Sequence, residues 1–559
     1  MRIGNLPIIT RPNDVNPDIE SGKITLSANN QANTSTSSLA GQGNGGSKSS
    51  QSVSQKQADI DYIYALFNEY SNAYEAEWRR LENCERLYHG IHWNDVPMAD
   101  SLEPRPVTPI IQATIESVRA ELTDWYPQAI VTADESEYSD SANALSAVIQ
   151  ENHIACDYER EYEKAIHDLL VGGTMVQEVG FDPDANFGLG AAYIRHVDNR
   201  CIMFDPNSSS VGDCRAIIKF SVHPLSWYYE QYPKHASKMV ADEIALTEGS
   251  SEDSAVLIEF WKREYDSVRC RYDVHIIKVA GRVILEDSRE ICEQGLFVHG
   301  KYPFVVTTLF PRKGSVLGFG FCDVFEQQQR LSDKLDQIVI KNALMASHNK
   351  MLVSSASGFD VNDLCDWSKQ VHTGENINGV KWFSTAPLPG YIIEYVSRMR
   401  DNVKEESGAN EFSRGSTANG VTAASAIMAL QEMSNKRSRM IAKSVHASFA
   451  DAVRMEIEVE REYAVFCRPV YVNRIRVAYS NELLNDIDEY PLEFKISVKV
   501  QRESRFSVMA HNETIFKLVQ SGMITPQIGL DMLIFDGKEE VIAKMQQARG
   551  EDGEEYEQE

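Results

Sequence analysis

Apolar side chains recur at Ile63, Leu66, Phe67, Tyr70, Tyr74, Trp78, Leu81 and Leu87, mostly three or four residues apart. That spacing predicts an amphipathic helix beginning near Ala58, with Gly90 as its stop. After Pro104, Pro106 and Pro109 a second helix is expected over 110–125, with Pro109 in its first turn and Ile111, Ile115, Val118 and Leu122 on one face. Two more follow, over 139–152 and 158–171, the last closed by Gly172-Gly173. The period then changes. Residues 175–181 and 191–196 flank Asp182-Pro183-Asp184 as a hairpin with a longer loop. Phe204-Asp205-Pro206-Asn207 reads as a turn. Strands are expected over 256–263, 272–279 and 282–286, the last two joined at Ala280-Gly281. Helices first and antiparallel strands after make the fold class α+β rather than alternating βαβ.

The second half differs. A helix over 324–348 sets Leu331, Leu335, Ile338, Asn342 and Met345 at alternating four and three spacing. Gln327, Arg330, Lys334, Gln337 and Lys341 occupy another face. A compact polar region, 349–388, is punctuated by Gly358, Gly374, Gly379 and Pro387. A helix over 391–406 and a small, polar segment, 407–420, follow. From Val421 to Arg468 there is no Gly and no Pro. One helix of that length would run roughly 70 Å. Thr422 suits its N-cap. Its apolar stripe of Ile427, Leu430, Ile441, Val445, Phe449 and Val453 lapses at 434–439, where a kink or an exposed section is expected. Strands near 474–479 and 492–500 and helices near 507–521 and 538–549 complete the chain, with Thr525-Pro526 starting a short helix between them.

Composition adds limits. The 559 residues are 43% hydrophobic, ordinary for a globular protein of several domains. Residues 1–57 hold too few apolar side chains to offset the entropy of ordering and read as a disordered low-complexity segment. The N-terminus lacks the apolar core of a signal peptide, and no apolar run reaches the roughly 20 residues a membrane span needs. The nine cysteines are widely spaced with no CxxC pair, which suits reduced thiols in a cytoplasmic compartment better than a disulfide framework.

Chemistry is sparse. Walker A, GxSxG and HExxH motifs are absent, and Gly318-Phe319-Gly320 lacks the third glycine of a dinucleotide fingerprint. Cys84, His89 and His92 lie close in sequence, but a fourth ligand is missing and the helix ends between them. Asp205 and Asp213 read as turn carboxylates. No catalytic residue, metal or cofactor is expected. The net charge of −27 argues against DNA capture by a basic surface. The best basic cluster is Lys436, Arg437, Arg439 and Lys443. It suits either a DNA contact or a solvated or intersubunit helix face, and its acidic surroundings favour the second.

The order of these elements resembles the portal proteins of tailed bacteriophages. The stretch from Arg80 through Tyr88, Gly90 and Trp93 is similar to that family's early helix, and Pro109 to Val118 to its next one. Leu170-Val171-Gly172-Gly173-Thr174 and Phe204-Asp205-Pro206 resemble its sheet entry and turn. Gly318-Phe319-Gly320 before Glu326-Gln327-Gln328-Gln329-Arg330-Leu331 resembles the approach to its stem. Ala423-Ala424-Ser425-Ala426-Ile427 with Leu430-Gln431-Glu432 and Arg437 resembles the helix after its tunnel loop. The departures are a short clip and no extended C-terminal barrel.

The resemblance implies a portal-type fold: a wing over 58–318, an outgoing stem helix over 319–348, a clip over 349–388 and a returning stem helix over 389–406. A tunnel loop over 407–420 and a long kinked helix over 421–468 would follow. Strands over 469–505 would return to the wing, before crown-like helices over 506–549 and an acidic tail over 550–559. It implies a homo-oligomeric ring, typically a dodecamer, at one capsid vertex of the virion, assembled in the host cytoplasm. Such a ring conducts double-stranded DNA non-specifically during packaging and ejection and nucleates head assembly with the major capsid and scaffolding proteins. It docks the large terminase and then head-completion and tail adaptor proteins. It has no enzymatic activity and no membrane contact. Asn410, Phe412, Arg414 and Asn419 would belong to the DNA-channel loop. Lys436, Arg437, Arg439 and Lys443 would face the lumen or a neighbouring subunit, and Arg330, Lys334, Gln337 and Lys341 would lie on the stem. Two other readings stay open: a head–tail adaptor without a ring role, and a nucleic-acid-processing enzyme with an unrecognised carboxylate site.

Overall fold

The computed structural model describes residues 47–93, 103–124, 126–133, 138–241, 253–292, 295–347, 350–366, 368–383, 388–407, 436–464, 467–472, 475–484, 494–499 and 505–533. The chain divides into a large unit, residues 1–124 and 128–498, and a small one, residues 125–127 and 499–559.

The large unit opens with helix α1 (Ser47–Tyr88). All eight apolar positions of the sequence pattern are buried. The helix begins eleven residues before Ala58, which corrects the expected disordered segment over that stretch. Residues 47–57 contain no Gly or Pro, so a helix nucleated by the buried stripe propagates back through them at little cost. Gly90, at φ +77°, lies just past its end. Helices α2 (Ile110–Thr123), α3 (Ser139–Ala155) and α4 (Tyr158–Val171) follow, with strand β1 (Gln128–Ala133) between the first two. Pro109 stands just outside α2 rather than in its first turn.

Strand β2 (Thr174–Asp182) forms a hairpin with β3 (Ala191–His196), and a one-turn helix α5 (Ala185–Gly188) fills the loop. With β9 (Phe304–Thr308) they make a sheet of order β3-β2-β9. A five-stranded antiparallel sheet holds β4 (Ile202–Met203), β5 (Ala216–Pro224), β6 (Ser254–Asp266), β7 (Arg271–Ala280) and β8 (Val283–Asp287). Gly281 and Arg282, both at positive φ, turn the chain between β7 and β8, one residue later than expected. Primed two-residue turns need that conformation because it matches the twist of the flanking strands.

Strand β6 is buried on both faces. Toward α1, Phe260 meets Tyr62, while Phe220 of β5 meets Phe67 and Trp78 edge-on at 5.7 and 6.0 Å. Ala255 and Leu257 pack with Ala280, Leu285 and Tyr228. Tyr228 lies on α6 (Leu225–Gln231), which the one-turn helix α7 (Pro233–Ala236) follows. Burying each such large side chain contributes roughly 1.5–3 kcal/mol. Strands β5 and β9 carry no clean alternation because both of their faces are covered.

After the one-turn helix α8 (Ser288–Ile291), β9 and the short pair β10 (Phe310–Pro311) and β11 (Gly318–Phe319), helix α9 runs Phe321–Ser347. The region expected as a compact excursion is an antiparallel pair, β12 (Lys350–Val353) with β13 (Val380–Phe383), enclosing the one-turn helix α10 (Val361–Leu364). Helix α11 (Gly390–Ser407) then returns beside α9. The next described helix, α12 (Lys436–Tyr463), ends earlier than the expected 468, because Arg468 already starts strand β14 (Arg468–Val472). Its expected first part, 421–435, lies outside the described residues, so the kink near 434–439 falls at their edge. Strand β14 pairs with β15 (Ile475–Tyr479), and β16 (Phe494–Lys499) returns to pair with β1.

In the small unit α13 (Arg505–Gln520) precedes α14 (Pro526–Met532), whose Thr525 side chain caps the Ile528 N–H as the Thr-Pro pair suggests. The helix expected over 538–549 and the acidic tail lie outside the described residues.

Candidate functional site at the paired helices

Helix α9 is rooted by backbone contact and by two polar layers. At its entry Gly173, at φ +86°, and Gly320 let two backbones touch: a Cβ on Gly173 would sit 2.0 Å from the Phe319 carbonyl carbon, and one on Gly320 would sit 2.3 Å from the Val171 oxygen. Only glycine tolerates such an approach. Beside it, Arg80 of α1 donates to Asp323 in the first turn of α9, to Glu77 and to the Gly172 carbonyl. Asp323 also accepts the Gly320 N–H, so a carboxylate stands at the positive end of the helix.

Two turns on lies a buried polar layer. Proline at the N-cap position gives α2 no side-chain cap of its own. Gln329 of α9 supplies one from a distance: its Oε1 accepts the Ile110 and Ile111 N–H groups at 3.1 and 3.3 Å, and its Nε2 donates to the Thr108 carbonyl at 2.7 Å. His92 Nδ1 lies 2.6 Å from Asp333 Oδ2 and its Nε2 3.0 Å from the Leu87 carbonyl oxygen. Arg400 of α11 donates to Asp336 of α9, whose other partner is Thr108. These bonds tie α9 and α11 to the lead-in of α2.

Past Asp333 the burial stops. Between residues 334 and 395 Ser357 is the one buried side chain among the described residues. The stripe of Leu331, Ile338 and Met345 is 42–48% exposed, while the buried face of α9 is Phe321, Cys322, Phe325, Gln329, Ser332 and Asp333. Tyr391, Ile393 and Tyr395 of α11, and Leu352, Ile377 and Trp382 of the excursion, are exposed as well. Beyond Phe325, therefore, Leu331, Ile338 and Met345 of the apolar pattern face outward in the single chain, Leu335 is half-buried, and Gln329, Ser332 and Asp333 face in. Exposed apolar surface this dense marks an interaction site.

Two family models match this chain. The Phage P22-like portal protein model matches residues 65–297, and the Phage SU10 portal protein model matches residues 262–459. The chain belongs to the portal proteins of tailed phages. The first match covers most of α1 and the greater part of both sheets, and the second runs from β6 through α9, α11 and most of α12. These families are structural rather than enzymatic. No curated protein matches the chain.

The residues singled out in the portal sequence separate in the structure. Arg330 bonds Glu326 and Asn83, Gln337 donates to the Pro104 carbonyl, and Lys341 pairs with Glu103, so three of the four polar stem positions tie α9 to neighbouring segments. Lys334 is exposed. Positions 436, 439 and 443 share a face of α12, and Arg439 and Lys443 are exposed there. Asn410, Phe412, Arg414 and Asn419 lie outside the described residues. Cys84, His89 and His92 do not converge: Cys84 is beside Asp323, His89 faces Glu85, and His92 holds Asp333. Asp205 pairs with Arg215, and Asp213 accepts from Ser210.

Sequence reasoning missed the inward polar face of α9 and a second buried network on α12. There Glu460 pairs with Arg468 and accepts from Asn152, while Glu456 meets His153. Burial lifts the Glu460 carboxyl above its usual range against the pull of Arg468. The spacing of Gln329, Asp333 and Asp336 was the available signal, but a polar helical face ordinarily means solvent. No helix among the described residues is long and apolar enough to cross a membrane.

Proposed function

We propose that the chain is one subunit of a closed ring, a dodecamer, at a capsid vertex, through which double-stranded DNA passes during packaging and ejection. The observation that carries this reading is the outward apolar stripe of α9 beside the exposed aromatics of α11. Where the stripe of one copy meets a different face of the next the contact is head-to-tail, and such contacts close into a ring when the rotation between neighbours closes. In this reading α9 and α11 are the stem, β12 to β13 the clip, 407–420 the channel loop and the C-terminal helices the crown. The clip docks the large terminase and later the head-completion and tail adaptor proteins. The capsid and scaffolding proteins meet the wing.

The net charge of −27 supports passage rather than capture. Duplex DNA carries one charge per roughly 1.7 Å of axis, and a basic lumen would hold it. Imaging of purified protein by electron microscopy tests the ring. A monomer under all conditions points instead to a non-ring adaptor. Deleting residues 410–419 should leave the ring intact and impair packaging or retention of DNA; unchanged packaging removes the loop from the mechanism. Nuclease or ATPase turnover abolished by one Asp substitution would overturn the non-enzymatic reading.

A further inference from the structure

A third group of polar side chains lies away from the paired helices, between α1 and α4. One ligand atom each from Glu85, His167 and Asp168 lies within 4.8 Å of the others. His167 Nε2 stands 3.6 Å from Glu85 Oε1. That is too long for a hydrogen bond. It is close to the ~3.4 Å edge between two ligands of a tetrahedral ion with bonds of ~2.1 Å. Asp168 Oδ2 is buried and pairs with His196 Nε2 at 3.2 Å. The His196 side chain is 10% exposed, and its Nδ1 has no hydrogen-bond partner among the described residues.

We propose that Glu85, His167 and Asp168 bind one divalent transition-metal ion of the zinc type, which fastens α1 to α4. One imidazole and two carboxylates form a mixed nitrogen and oxygen donor set with a fourth position for water. Magnesium, which prefers oxygen ligands alone, is a poor fit. The Tyr88 ring packs edge-on against His167 at 4.8 Å and restrains the imidazole. His196 beside the Asp168 carboxylate orients it, as outer-shell partners of metal ligands do. His89 Nε2 lies 3.6 Å from the other Glu85 oxygen, outside the three-residue group. The ion has a structural consequence. Asn83, on the same helical turn as Glu85, bonds Glu326 and Arg330 of α9. A metal at Glu85 would stiffen the turn that carries the root of α9, whether or not the chain forms a ring.

Full-length protein stripped with a chelator and reloaded with Zn2+ tests the site. Cysteine thiolates bind zinc as well and the chain has nine cysteines, so the readout is the difference between wild type and the double variant His167→Ala/Asp168→Asn. Wild type should bind one more Zn2+ per chain, and Zn2+ but not Mg2+ should raise its Tm by about 3 °C or more while leaving the variant unmoved. Co2+-loaded wild type should show ligand-field bands that are missing from the variant and are not accompanied by thiolate charge transfer. Equal zinc stoichiometry, or cobalt bands of thiolate type alone, overturns the proposal. Should the double variant fail to fold, Glu85→Gln, on the other helix, is read by the same measurements and decides.

Discussion

His92 presents both ring nitrogens to acceptors, Nδ1 to Asp333 Oδ2 at 2.6 Å and Nε2 to the Leu87 carbonyl at 3.0 Å, with both side chains almost fully buried. The pair joins the end of α1 to α9 across 241 residues of sequence. Removing one member strands the other without water. Asp333→Ala should therefore cost about 3–5 kcal/mol. A double-mutant cycle with His92→Ala should show strong coupling, read by urea unfolding. Additive single effects would mean that the two side chains do not act as a pair.

The entry to α9 should be intolerant of a single methyl group. Gly320→Ala drives a Cβ to 2.3 Å from the Val171 oxygen, and backbone on both sides leaves little room to yield. A loss of about 2 kcal/mol or more is expected. Gly390→Ala, where nothing lies within 4 Å, should stay within about 0.5 kcal/mol of wild type. Thermal unfolding of both variants checks the contrast, and equal Tm values would contradict the close approach.

The outward stripe predicts a split between folding and assembly. Ile338→Asp places a charge on a side chain that is already half exposed in the single chain. Subunit folding should survive, while the oligomer should dissociate on size-exclusion chromatography with light scattering. Val268→Asp, at the exposed tip between β6 and β7, serves as the control and should change neither. An intact oligomer in Ile338→Asp would remove the stripe from the interface.

Acid should weaken the protein partly through His299. Its ring stacks on Phe297, and its Nδ1 accepts the Lys301 backbone N–H at 3.0 Å, a bond that requires an unprotonated nitrogen. Burial, with the Lys301 charge after it, pushes this imidazole down to about 4. Above about pH 6.5 the ring is neutral in both the folded and the unfolded chain, and its contribution is complete. Between there and about 4 the unfolded chain takes up a proton that the folded one refuses, so stability falls as pH falls. His299→Gln should lose less of its urea midpoint between pH 7 and pH 4.5 than wild type. Equal losses would show that other groups carry the acid sensitivity.

Much of the local structure is legible in the residues themselves. The stripe of α1, the bounds of α4 and β3, and the Thr525 cap all follow from spacing and turn chemistry, because each depends on neighbours within a few residues. The start of α1 at Ser47 and the end of α12 at Tyr463 are not legible in that way, since helix ends follow what packs nearby.

For this portal protein the sequence by itself determined the order of the long helices, the α+β class and the absence of a familiar catalytic motif. Those are properties of short windows and of composition. Tertiary structure alone decided that Gln329, Ser332 and Asp333 of α9 turn inward while Leu331, Ile338 and Met345 turn outward. It also brought Gln329 to the start of α2 and set Glu85 beside His167. The partners in these contacts stand tens to hundreds of residues apart, and one-dimensional periodicity carries no information about which distant surface a helical face will meet.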